Sequence, residues 1–93
     1  MATGTIKTQD FIYIPVSGTL TNVASNTGAF LQFSPTIPSN YSTYGVIVWE
    51  TDGNNLFPVW GEINNGTAGA RVWNARGSAA TIHISGLVIC KKS

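Results

Sequence analysis

The sequence predicts an all-β protein, a jelly-roll-like antiparallel β-sandwich of about eight short strands. Three observations carry that expectation. Runs rich in Val, Ile, Thr, Tyr, Phe and Trp recur along the chain, separated by Gly, Asn, Ser or Pro turns. No segment joins helical periodicity to helix formers and caps. The 93 residues suit one domain spanning 1–93, with 1–8 as a flexible or lead arm.

Residues 10–16, DFIYIPV, predict a strand with apolar side chains on both faces, one packed on the core and one against another subunit. Pro15 assigns it to an edge or a bulge. Ser17-Gly18 predicts a turn, 19–23 a weak strand, and 24–28 a loop. Residues 29–33 predict a short strand with Ala29, Leu31 and Phe33 on one face. The stretch 34–43, SPTIPSNYST, carries Pro35 and Pro38 and suits a crossover or binding loop. Residues 44–51 predict the strongest strand, with Tyr44, Val46, Val48 and Glu50 on one face and Ile47, Trp49 and Thr51 on the other. Trp49 is expected in the core. Residues 52–55 predict a turn, and 87–91 a closing strand after a bulge at Gly86.

Residues 56–85 hold the most information. Asn65-Gly66 favours a type I′ hairpin turn, because both positions tolerate positive φ. With these two as the loop, Asn64 faces Thr67, Ile63 faces Ala68, Gly61 faces Ala70 and Val59 faces Val72 on the apolar side. Trp60 then faces Arg71 and Pro58 faces Trp73 on the display side, with Glu62 beside them. A second, three-residue loop around Gly77 pairs Val72 with Ile82 and Arg71 with His83. Trp60, Arg71 and His83 would stand in one row across three strands, flanked by Trp73, Glu62 and Thr81. The ligand-binding candidates are Trp60, Glu62, Arg71, Trp73 and His83. Aromatic rings suit the apolar C–H face of a sugar, whose hydroxyls want forked polar partners. Asn74 is such a partner by type, but it falls on the Val72 face.

Composition excludes several classes. Only 10% of residues are charged and the net charge is +1. The basic footprint of a nucleic-acid binder is absent, and so few charges predict burial between subunits. Cys90 stands alone, which rules out an internal disulfide and a multi-cysteine metal site; it is expected to act as a small buried hydrophobe. The polar start MATGTIKTQD predicts no secretory leader, and the apolar runs 11–14 and 46–49 are too short to enter a membrane as spans. Asn40-Tyr41-Ser42 and Asn65-Gly66-Thr67 are therefore expected to be turn chemistry rather than glycosylation sites. A glycosidase would need two carboxylates at a fixed separation, which the spacing of Glu50 and Glu62 does not impose. No Gly-x-Ser-x-Gly elbow accompanies His83, and one histidine makes no metal site. No catalytic residue, metal or cofactor is expected.

The C-terminal half, 44–93, resembles the head domains at the ends of bacteriophage tail fibres and baseplate receptor-binding proteins. The features are a proline-bearing loop before a strand, the hairpin Glu62-Ile63-Asn64-Asn65-Gly66, the aromatic strand Arg71-Val72-Trp73, and the ending Ile82-His83-Ile84-Ser85-Gly86-Leu87-Val88. The resemblance implies a homotrimeric jelly-roll head on the virion, in contact with other tail proteins, that binds saccharides of the bacterial surface. It also implies a ligand held by Trp, His, Arg and an acid, types matched here by Trp73, His83, Arg71 and Glu62. Family heads follow a stalk that is missing here, which implies an excised head or a separately made tip. Two alternatives share the fold: a trimerisation or decoration module of a virion without a small ligand, and a cellular jelly-roll lectin.

Overall fold

Strand-forming residues dominate the chain, and the computed structural model, which describes residues 10–51 and 57–93, turns them into strands with no α-helix among the described residues. The strands are β1 (Phe11–Val23), β2 (Thr27–Gln32), β3 (Tyr41–Glu50), β4 (Val59–Asn64), β5 (Thr67–Asn74) and β6 (Ala80–Lys92). They form two three-stranded antiparallel sheets, ordered β1-β6-β3 and β2-β5-β4. The all-β expectation holds. The described residues carry six strands rather than about eight, because predicted neighbours merge. The expected arm at 1–8 and turn at 52–55 lie outside the described residues.

Two glycines explain the merging. The turn expected at Ser17-Gly18 does not form, and β1 runs straight through it. A Cβ added at Gly18 would lie 2.7 Å from Leu31 Cδ2, so the glycine makes room for β2 in the facing sheet. The bulge expected at Gly86 is likewise absent, and β6 keeps its register there. A Cβ at Gly86 would meet the Ile47 carbonyl oxygen at 2.6 Å. The register shifts fall instead between Leu20 and Val23 and between Thr43 and Gly45. Pro15 sits on β1, an edge strand, as its missing donor requires.

The sheets pack face to face through alternating residues. Ile82 and Ile84 of β6 meet Ala70 and Val72 of β5, with Val23 and Phe57 near the Asn74 end of β5 and Phe33 beside Ala68 at the other. Val88, Cys90 and Ala68 form a second cluster further along. Each fully buried Val or Ile contributes about 1.5–3 kcal/mol. Cys90 is a buried free thiol, and burial pushes its pKa up.

Strand β3 corrects two expectations. Trp49 does not enter the core; it is 44% exposed on the outward face, as is Ile47 at 53%. Val46, Val48 and Glu50 turn inward, while the shift after Thr43 moves Tyr44 to the outward side. The reason is space. The position of a Gly61 Cβ on β4 lies 2.7 Å from Val46 Cγ1, so the two sheets approach too closely there for an indole. Glu50 bears the consequence: both carboxylate oxygens are buried and meet no hydrogen-bond donor among the described residues.

Candidate functional site

The hairpin forms in the expected register. Asn65 and Gly66 have φ of 53° and 77°, as a type I′ turn demands. Val59 pairs with Val72, Trp60 with Arg71, Gly61 with Ala70 and Ile63 with Ala68. The Trp73 amide donates to the Pro58 carbonyl at 3.1 Å, which extends the pairing one row beyond β4.

The second expected pairing does not form. The segment after Asn74 crosses to the other sheet, so β5 and β6 are not neighbours and His83 does not face Arg71. Asn74 holds this crossing. Its side chain is fully buried, and Nδ2 donates to the carbonyls of Val23 at 2.9 Å and Ser78 at 3.0 Å. Its Oδ1 accepts the Arg76 amide at 2.9 Å. One inward amide thus ties the end of β1 to the β5–β6 connection, and Asn74 cannot reach a ligand on the outer face. The partner that Arg71 gains instead is Phe30, because β2 pairs with β5 on its free side.

The outward face of β2-β5-β4 is an ordered cluster built on glycine beds. A Cβ at Gly69 would lie 2.7 Å from Phe30 Cε1, so the Phe30 ring rests over the bare backbone of β5. Trp73 covers Gly28 in the same way, with Cε3 3.3 Å from the Cβ position. The Arg71 guanidinium carbon lies 5.0 Å from the Phe30 ring centroid, within cation–π range. Glu62, one row along, takes Arg71 in a fork: Nε to Oε2 at 2.9 Å and Nη2 to Oε1 at 3.3 Å. The Trp60 indole N–H donates to the same Oε2 at 3.2 Å. Trp60, Glu62, Arg71 and Phe30 therefore lock one another's rotamers.

The electrostatics follow from these bonds. The hydrogen bond from Arg71 holds the Glu62 carboxyl below its usual value, and the Trp60 indole N–H adds to the effect. Glu62 takes two of the five N–H donors that an arginine carries, which leaves the others for a ligand or water. Trp60, opposite Arg71, and Trp73, one row further along β5, remain 44% and 40% exposed. This arrangement can stack an apolar ring face against indole while a fixed guanidinium and carboxylate meet hydroxyls. Little side-chain entropy remains to be lost on binding.

Four of the five expected site residues, Trp60, Glu62, Arg71 and Trp73, share this face. His83 lies on the outward face of β1-β6-β3 opposite Thr19. Sequence reasoning missed Phe30 and the glycines beneath the rings. The alternation that turns Ala29 and Leu31 inward already turned Phe30 outward; what the sequence withheld was the strand beside it. Glu50 points into the sandwich from one sheet and Glu62 outward from the other, so they form no carboxylate pair of the glycosidase kind. No three metal-ligating side chains gather among the described residues. No family model, no curated protein and no solved structure matches this chain.

Proposed function

We propose that the outward face of β2-β5-β4 binds saccharides of the bacterial cell surface, and that the chain is the receptor-binding head of a phage tail fibre or baseplate. The observation that carries the binding reading is the Arg71–Glu62 fork, with the exposed Trp60 indole bonded to Glu62 and the exposed Trp73 one row along β5 from Arg71. The phage placement rests on the resemblance of 44–93 to tail-fibre heads, and with it goes a jelly-roll ancestry for the six strands. Several copies held together would multiply a weak saccharide contact by avidity. His83 takes no part in this site. The reading is recognition without turnover.

A glycan array probed with the purified chain tests the proposal. Binding to bacterial surface saccharides is expected, and Arg71→Lys should weaken it by about 1–3 kcal/mol because lysine keeps the charge but loses the fork. Trp73→Ala should weaken it to a similar extent. A folded chain that binds no glycan, or one whose binding is unchanged by Arg71→Lys, would remove the proposal. Release of sugar products on incubation with cell-wall saccharides would move the protein to the enzymes.

A further inference from the structure

The outward face of β1-β6-β3 is organised in rows centred on β6. The Ile89 row carries Tyr13 on β1 and, beside Gly45 on β3, Tyr44. The Leu87 row carries Pro15 and Ile47, and the Ser85 row carries Ser17 and Trp49. Tyr13, Tyr44, Ile47 and Trp49 are 44–61% exposed. With about 150–250 Å² for a whole aromatic side chain, these four alone leave on the order of 400 Å² of apolar surface in water. That matches the largest patch an ordinary monomer carries. With the half-buried rims of Phe11, Leu87 and Ile89 it comes to roughly 500–600 Å² per copy, or about 1,000–1,200 Å² for a pair, the lower bound of a specific interface.

The rows differ in height. Tyr13 and Tyr44 make a ridge, and Phe11 meets Tyr44 edge-on at 5.5 Å to brace it. On the other side of Leu87 lies a hollow of about 410 Å³ walled by Pro15, Trp49 and Leu87 and floored by Ser17, Ser85 and Gly86. Ridge and hollow stand one row away from Leu87 in opposite directions. A two-fold axis lying along the Leu87 row would therefore set each ridge into the other copy's hollow.

We propose that this face is the contact between two copies of the chain, packed sheet to sheet with strands antiparallel across a two-fold axis. Tyr13 enters the partner's hollow, Tyr44 meets the partner's Trp49, and Ile47 meets the partner's Ile47. Lys91 stands one row beyond, opposite Phe11 and Ser42, and its ammonium lies 5.5 Å from the Tyr44 ring centroid. The two-fold keeps the two Lys91 side chains at opposite ends, so like charges never meet. Among the described residues these three rows carry no charged side chain, so a partner recognised by charge has nothing to complement on them. The resemblance implies three-fold assembly; the row order of this face fits a pair. The inference stands apart from the saccharide reading, which concerns the other sheet.

Sedimentation equilibrium of the full chain at micromolar concentration should show a dimer. Ile47→Asp sets two carboxylates against each other at the axis and should weaken association about 100-fold or more. Circular dichroism should show it folded, since Ile47 is already half-exposed. Ile47→Cys should form a disulfide-linked dimer under mild oxidation, with the buried Cys90 inert. Glycan binding per chain should survive both changes, which separates failure here from failure of the saccharide site. A monomer, a trimer, a dimer indifferent to Ile47→Asp, or a dimer that Ile47→Cys cannot cross-link would each overturn the proposal.

Discussion

The two sheets turn comparable aromatic surface outward and prepare it in opposite ways. On β2-β5-β4 the rings lie down on glycines and an ion pair is forked between them, so the face is flat, polar in its middle and fixed. On β1-β6-β3 the rings stand up beside a hollow, and the Lys91 ammonium lies against the Tyr44 ring. Lying rings with fixed donors suit a small polar ligand that must find its hydrogen bonds ready. Standing rings with few polar groups suit a surface that repeats their own shape. The same residue types thus serve two ends, and the glycine opposite the ring decides between them.

The largest expected effect tests which side of β5 faces in. Val72 is fully buried and its neighbour Arg71 is outward. Val72→Asp should cost about 3–5 kcal/mol and abolish a cooperative melt, while Arg71→Lys leaves the melting temperature nearly unchanged. The opposite ranking would invert the binding face. Next comes Glu50, whose buried carboxylate has no hydrogen-bond partner among the described residues. Glu50→Met should raise stability in urea by about 1–3 kcal/mol. A loss would mean that the carboxylate has a partner on β1-β6-β3, and the account of that sheet would change.

The glycine beds predict a smaller contrast. Gly69→Ala must lift the Phe30 ring and should cost about 1–2 kcal/mol, with weaker glycan binding. Gly45→Ala on the other sheet meets only Ile89 at 3.8 Å and should change stability by about 0.5 kcal/mol or less. Equal costs would erase the distinction between lying and standing rings. The smallest effect is acid-linked. The folded pKa of Glu62 is depressed, so its contribution is present above the ordinary carboxylate value and is lost as pH falls through the lower folded one. The Trp60 indole N–H resonance should hold steady through mild acid and shift only below the usual carboxylate range. The Trp49 resonance, on the other sheet from Glu62, should not follow.

How much of this was legible follows from where each decision is made. The Asn65-Gly66 hairpin was, because the turn itself fixes the pairing of β4 with β5. The crossing after Asn74 was not, since a short loop around Gly77 looks the same in a hairpin and in a passage between sheets. What decides it is an amide buried among carbonyls from distant segments. The orientation of β3 was equally hidden. Apolar residues load both of its faces, and the choice is made by the closeness of β4 at Gly61, a tertiary fact. The two-sided apolar strand at 11–14 was legible as such, although its continuation through Gly18 required seeing Leu31 across the gap.

Pro15 carries a consequence for how the chain avoids fibres. Among the described residues β1 is the longest edge strand, thirteen residues at the margin of β1-β6-β3. An edge of that length invites another chain to add as a further strand, and each addition would present the next. Proline breaks the row of donors on β1, and the register shift after Thr43 breaks the row on β3, the opposite edge. Growth by strand addition is thereby stopped at both margins of β1-β6-β3. Replacing Pro15 with valine would leave the fold its strand and open that margin to unlimited extension.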